Sequence, residues 1–350
     1  MAAKPLLHLE ILEVTIRPLV KASSLALALA IALPTSSPVQ AQTSSGLLER
    51  PDDAQVALDN SQTRPIAMPT ALDTSDEEVT WRRDGVVTSL SADGRLRAST
   101  SVDDRVDVGL SVTEHAAPND TSVTTDGTTV MLRNGSETAH AMQILDNGAI
   151  GASVLLAGPD AARTTQYDFT EDVAPVLQKT GAVALYKDDV LVGVVEQPVS
   201  HDASGAEVDS RYSVEGNRLV QTVDPDPKSA YPIVAQAAVA VFYTRGDYVH
   251  VTRGQASGHG WWIKGTTKAT KAKVTVQLQY KPKKTSSWNR RGKAGVTTIG
   301  PGTSKRANAR MTCRSQGRKQ WRSWVDVDLI GYLDSPNKYY TSARTLKCTL

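Results

Sequence analysis

The sequence predicts an all-β protein: an N-terminal antiparallel hairpin or meander domain, then a small disulfide-linked C-terminal β-sandwich. Three observations carry this. Turn dipeptides recur at short intervals: Asp84-Gly85, Asp93-Gly94, Asp126-Gly127, Asn134-Gly135, Asn147-Gly148 and Gly216-Asn217. Strand-length runs such as "TTVMLR" and "AIGASVLL" lie between them, and helical periodicity is weak throughout. Two cysteines, Cys313 and Cys348, close a C-terminal segment of alternating apolar and polar residues. Asp-Gly and Asn-Gly suit hairpin turns because both residues tolerate positive φ. Repeated hairpins without crossover helices fit a meander or sandwich.

The N-terminus reads as an export signal, residues 1–41. Arg17 and Lys21 precede the apolar run "LALALAIAL", which Pro34 breaks. Val39-Gln40-Ala41 then matches a small-residue cleavage site after Ala41. The run is too short to cross a membrane, which takes about 20 apolar residues. Glu10 and Glu13 are unusual ahead of such a run. The mature chain is therefore expected to carry no transmembrane segment. It is expected outside the cell, secreted or held non-covalently at the cell wall. Residues 42–79 are acidic, carry Pro65 and Pro69 and show no period, so a disordered leader is expected there.

An acidic β-rich domain is expected over residues 80–236. Its clearest hairpin is "AVALYKDDVLVGVV", with Lys187, Asp188 and Asp189 at the bend. A second is "RYSVEGNRLVQTV", while "EDVAPVLQKT" suggests one helical turn. The proline-rich "DPDPKSAYPIVAQ" places the boundary near Gln236, and "AAVAVFY" begins the next domain, residues 237–350. There, "KAKVTVQLQYK" puts Val274, Val276, Leu278 and Tyr280 on one face of a half-buried strand. In "QWRSWVDVDLIG", Trp321, Val325, Val327 and Leu329 share a face, and Trp324, Asp326 and Asp328 share the other. The segments "NARMTC" and "RTLKC" turn Cys313 and Cys348 inward. An isolated pair in an exported chain suits a disulfide better than zinc, which wants four ligands.

Charge divides sharply along the chain. Residues 237–350 hold 22 Lys/Arg against 4 Asp/Glu, a balance of +18, whereas residues 42–236 balance at −17. A field of that sign attracts polyanions. Three readings follow: the basic domain binds an external polyanion, it docks on the acidic half, or its charge serves solubility. The binding candidates are Lys281, Lys283, Lys284, Arg290, Arg291, Lys305, Arg306, Arg314, Arg318 and Lys319, all expected in loops. Trp262 and Trp288 are candidates for stacking on sugars or bases, and Trp321 is expected in the core.

Catalytic signatures are missing. There is no G-x-S-x-G, H-E-x-x-H, P-loop or G-x-G-x-x-G. Asp103/Asp104 and Asp188/Asp189 read as solvated turn acids, and Asp326 and Asp328 as partners of nearby Lys or Arg. Too few oxygens gather for calcium. His115, His140, His201, His250 and His259 lack metal spacing, so no metal and no cofactor is assigned. In "ASGHGWWIKGT", Gly254, Gly258 and Gly260 read as chain reversals with His259 in the turn. A hydrolase or nuclease-like toxin using His250 and His259 as acid and base is the alternative function. A carbohydrate-binding module using tryptophans is another.

Residues Tyr212, Val214, Gly216, Asn217, Leu219, Gln221, Val223, Tyr231 and Pro232 form the pattern Y-x-V-x-G-N-x-L-x-Q-x-V with a closing Y-P. This stretch resembles a segment recurring in uncharacterised secreted two-domain β-rich proteins of actinobacteria. "GDYVHVTRGQASGHGWWIKGT" and "WRSWVDVDLIG" resemble the small C-terminal domains of such proteins. The resemblance implies a secreted β protein and brings no activity or catalytic residue with it. The resulting expectation is a secreted, non-enzymatic protein whose basic domain associates with anionic envelope or extracellular polymers. Reducing the Cys313–Cys348 bond is expected to cost roughly 3–4 kcal/mol of stability by chain entropy, read from denaturant unfolding with and without reductant.

Overall fold

Antiparallel hairpins build nearly all of the described chain. The computed structural model describes residues 51–350 except 62–66, 69–70, 76–77, 94, 114–120, 125–126, 135–136 and 333–337. The expected signal segment, the start of the expected leader, and residues Gly94, His115, Asp126, Gly135 and Asp334 lie outside the described residues.

Two large sheets face each other. One has eight strands, in the spatial order Leu72–Thr74, Glu78–Arg83, Val86–Ala92, Leu96–Val102, Val106–Val112, Thr164–Phe169, Arg218–Asp224 and Asp209–Glu215. The other runs Ala174–Leu177, Val183–Lys187, Val190–Val195, Ile233–Val241, Ile150–Leu156, Thr138–Ile144, Thr129–Asn134 and Thr121–Val123, with Val199–His201 also paired to Ile233–Val241. Leu90, Leu96, Val108, Tyr167 and Leu219 from the first sheet meet Leu132, Met142, Ile150, Leu185 and Val239 from the second in one core. The "KDD" bend works as expected. Asp188 and Asp189 both take positive φ, 49° and 59°, and Lys187 pairs with Val190. In the second expected hairpin Tyr212 faces Gln221 and Val214 faces Leu219, with Gly216 at φ 65°.

Two smaller sheets form the C-terminal sandwich. Gln255–Ile263 is central to one: Tyr243–Gly246 and His250–Thr252 pair along one edge and Ala307–Thr312 along the other. The other sheet runs Asn289–Ile299, Ala272–Lys281, Ser315–Leu329 and Tyr339–Tyr340, with Arg344–Thr349 also paired to Ser315–Leu329. Val274, Val276, Leu278, Trp321, Val325 and Val327 fill the space between them, as alternation requires. Cys313 and Cys348 are disulfide-bonded, and Cys348 is fully buried. Trp321 is also fully buried, and its Nε1 donates to the Cys348 carbonyl at 3.0 Å.

Three expectations need correction. The boundary at Gln236 falls inside Ile233–Val241, a strand buried along its whole length. Ala237, Val239 and Val241 enter the large core, whereas Ala238, Ala240 and Phe242 enter the core of the C-terminal sandwich. "AAVAV" thus completes the first half, and the sheets change only after Phe242. Residues 42–79 are not an unstructured leader throughout. Pro51–Ser61 is a helix and Leu72–Thr74 a strand. Ala54 and Leu58, one helical turn apart, are fully buried against Met131, Ala139, Leu155 and Val234. That stripe is two residues in an otherwise acidic segment, which is why composition hides it. Finally, "EDVAPVLQKT" contains the edge strand Ala174–Leu177, paired to Val183–Lys187, and not a helical turn. Pro175 is tolerated there because an edge strand leaves one row of amides unpaired.

Thr266 locks the junction between the two halves. Its amide donates to the Val241 carbonyl at 2.9 Å, and its hydroxyl accepts the Val241 amide at 2.8 Å. The Asn147 side-chain amide donates to its carbonyl at 2.5 Å. Gly265 precedes it at φ 52°, where a Cβ would stand 2.2 Å from the Val241 oxygen. Thr266→Val leaves the buried Val241 amide unsatisfied. It is expected to cost about 1–3 kcal/mol, measured by urea unfolding of the full chain.

Candidate functional site

The five-stranded C-terminal sheet turns a cationic and aromatic face outward. Because Val274, Val276 and Leu278 point inward, Lys273, Thr275, Gln277, Gln279 and Lys281 point the other way. Register then sets Arg290 and Arg322 on either side of Gln279, and Trp324 between Gln277 and Tyr340. The Arg322 guanidinium lies 4.4 Å from the Trp288 ring centre and 4.2 Å from that of Tyr340. Its Nε donates to Gln279 Oε1 at 2.8 Å. Burial pulls the Arg322 pKa below its ordinary value, and Tyr340 opposes that. Lys281 stands 5.0 Å over the same Trp288. Arg290 and Lys338 lie 5.7 and 5.1 Å from the Trp324 ring centre. Such pairs contribute about 0.5–2 kcal/mol each, depending on desolvation.

The expected binding residues divide between places. Lys281, Arg290, Arg291, Arg318 and Lys319 are on strands and not in loops, since strands here run beyond the core and carry charge on their projecting ends. Lys283 and Lys284 are exposed in the connecting turn, and Arg314 and Arg318 are exposed at the start of the long strand. Lys319 Nζ is engaged with the Pro282 carbonyl at 2.6 Å. Arg291 lies over Tyr280 at 5.1 Å. Lys305 and Arg306 belong elsewhere, on the connection into Ala307–Thr312. Trp288 is half-buried between its cations, but Trp262 is fully buried and offers no stacking surface. Its Nε1 donates to the Ile299 carbonyl at 3.2 Å. Arg322, Trp324, Lys338 and Tyr340 were not among the expected residues. The alternation that separates Trp321 from Trp324 also places Arg322 beside Trp324, and this was the available signal. Asp328 pairs with Lys273 at 2.8 Å, as expected of the few acids here.

The four-stranded sheet carries a second constellation on its outer face. "SGHGWW" lies within Gln255–Ile263, so Gly258 and Gly260 are not chain reversals and His259 is not a turn residue. The reversal comes earlier, at Arg253 and Gly254, with φ of 50° and 74°. Gly260 is required by sheet packing: a Cβ there would stand 2.5 Å from Val325 Cγ1. With Ala256, Gly258, Gly260 and Trp262 inward, Ser257, His259 and Trp261 face out. His259 Nδ1 is 2.9 and 3.1 Å from the two Asp247 oxygens, and its amide donates to Asp247 Oδ1 at 3.1 Å. Arg306 Nη1 donates to Asp247 Oδ2 at 3.0 Å, with its guanidinium 4.4 Å from the Trp261 ring centre. His250 pairs with Ser257 across the strands, and its ring centre is 5.2 Å from that of His259. The structure therefore brings together the two histidines named from sequence. Asp247, directly after Tyr243–Gly246, and Arg306, directly before Ala307–Thr312, join them because both flanking strands pair with Gln255–Ile263. Ser257 Oγ lies 3.4 Å from His259 Nε2, which copies the connectivity of a nucleophilic triad. Ser257 is only 4% exposed, too enclosed to meet a substrate carbonyl.

No family model matches the chain, and no curated protein matches it. Among solved structures, a DUF3823 family protein from Bacteroides ovatus aligns over 47% of this chain and 95% of its own, at 11% identity and TM-score 0.18. The N-terminal domain of the Streptococcus gordonii adhesin Sgo0707 aligns over 82% of this chain and 93% of its own, at 8% identity and TM-score 0.17. Superpositions this loose carry no argument about role.

Burial pushes the Asp247 carboxyl up. The hydrogen bond and charge of His259, its amide and Arg306 outweigh that and hold it below the usual carboxylate range. A depressed folded pKa contributes stability that is fully present above the unfolded value of about 3.9 and lost as pH falls through the folded value. Asp247→Asn removes this component. Its stability is expected to fall less steeply than that of the parent chain on acidification below about pH 4, measured by urea unfolding across that range.

Proposed function

We propose that the chain is an exported, non-enzymatic protein whose basic C-terminal sandwich holds anionic polymers of the cell envelope or extracellular space. The observation that carries this reading is Arg322 held between Trp288 and Tyr340, with Lys281, Arg290 and Lys338 over the neighbouring rings. Aromatic faces fix the cations in place, so less conformational entropy is lost when an anion arrives. The surrounding balance of +18 over residues 237–350 raises the local concentration of polyanions. The exposed Tyr340 and half-buried Trp288 rings add contact area for sugars or bases, so a polymer with both phosphate or carboxylate groups and planar or ring units suits the face. The Cys313–Cys348 disulfide supports an oxidising compartment, and no helix among the described residues is long and apolar enough to cross a membrane.

Binding of the full mature chain to polyphosphate and to heparin, as model polyanions, is expected to weaken steeply with added salt. The combined variant Lys281→Gln, Arg290→Gln, Lys338→Gln is expected to lose about 1 kcal/mol of binding per cation removed. Affinity indifferent to salt, or equal affinity for neutral dextran, would overturn the electrostatic reading.

A further inference from the structure

Asp247, His250 and His259 stand on adjoining segments of one sheet, away from the Arg322 stack. Asp247 follows Tyr243–Gly246, His250 opens His250–Thr252, and His259 lies on Gln255–Ile263. Each offers a donor atom, and the donor atoms lie within 4.8 Å of one another. Among the described residues this is the one such group of His, Cys, Asp or Glu side chains. We propose that these three residues bind a divalent transition metal ion of the zinc class.

The ligand chemistry selects the ion. Imidazole nitrogens suit zinc, copper and nickel, whereas calcium and magnesium need more oxygens than one carboxylate supplies. The geometry is close to what binding requires. Bonds of about 2.0–2.1 Å in a tetrahedral site set neighbouring donor atoms roughly 3.3 Å apart. His259 Nδ1 and Asp247 Oδ2 are already 2.9 Å apart, a hydrogen-bond contact that requires a proton on one of the two. Metal binding exchanges that proton for the ion: two coordinate bonds form, one hydrogen bond breaks, and the proton leaves to solvent. His250 supplies the third ligand from within the same 4.8 Å group, and water completes the sphere. All three side chains are half-buried, two on paired strands and Asp247 directly after a third, so the donors are held near one another before the ion arrives.

Arg306 opposes this. Its guanidinium sits 3.0 Å from Asp247 Oδ2 and adds a positive charge beside the site. The same pairing gives the proposal a distinguishing consequence, because removing Arg306 should favour the ion while removing a ligand should not.

The test uses the full mature chain, stripped with a chelator and dialysed against zinc, with cobalt as a spectroscopic probe. One zinc per chain is expected, with visible cobalt absorption of a nitrogen- and oxygen-ligated site. His250→Ala is expected to weaken uptake by about tenfold or more, and Arg306→Ala to tighten it. His250 is the preferred variant because His259 is tied into the strand by Asp247, and circular dichroism checks that the fold survives. Failure to retain zinc, uptake unchanged in His250→Ala, or weaker uptake in Arg306→Ala would each refute the site. Polyanion affinity of the zinc-free chain is expected to be the same with and without His250→Ala, so this proposal and the polyanion reading fail separately.

Discussion

The strand Ile233–Val241 is covered on both faces, and the rest of the molecule is arranged around that constraint. All 9 of its residues are buried. A strand that is solvated on one side alternates polar with apolar residues; one that is covered on both sides reads as a continuous apolar run. Here Ala237, Val239 and Val241 close one core while Ala238, Ala240 and Phe242 close the next. The small side chains matter as much as their apolarity. Alanines let the smaller sandwich approach the back of the large sheet, where Ala182, Ala184, Leu191 and Val194 belong to the same cluster as Trp262, Val274 and Val325. The two halves share buried surface and are not beads on a linker. Thr266 and Gly265 then satisfy the backbone where the chain leaves the strand.

That sharing decides which surfaces remain for contact. The C-terminal sandwich has four faces, counting both sides of its two sheets. Two face each other in the core, and part of one end rests on the first half. The outer faces are what is left, and strand alternation loads them differently. On its outer side the long sheet sets Arg322, Lys281 and Arg290 over a buried Trp324; the short sheet sets half-buried Asp247, His250 and His259 beside buried Ser257 and Trp261. One face therefore offers fixed cations on aromatic supports, and the other offers nitrogen and oxygen donors. The same period-2 rule that builds the core separates the two chemistries.

Much of this was legible in advance. Hairpins at Asp188-Asp189 and Gly216-Asn217 follow from residues that accept positive φ, a local property. Trp321 and the cysteine pair could be placed inward because alternation on a half-buried strand leaves two options, and the apolar set marks one of them. Trp261 and Trp262 were harder. Adjacent residues on a strand must diverge, but nothing local says which of two identical side chains enters the core. Gly258 and Gly260, strand residues that resemble chain reversals, pose a related ambiguity. A glycine needed for φ and a glycine needed for clearance look alike in sequence, and only the facing Val325 and Leu278 tell them apart.

By itself, the sequence determined the all-β class, the turns, the disulfide and the concentration of positive charge in the last third of the chain. These depend on backbone preference, two-residue periodicity and composition, all of which act over a few neighbours. Tertiary structure alone decided that Ile233–Val241 serves both halves, that Pro51–Ser61 is a docked helix, and that Asp247, His250, His259 and Arg306 meet. Those outcomes depend on which strands pair and how closely sheets pack, with Asp247 and Arg306 brought to 3.0 Å from 59 positions apart. Contacts at that separation are set by the whole fold, because no local rule encodes the partner across a sheet.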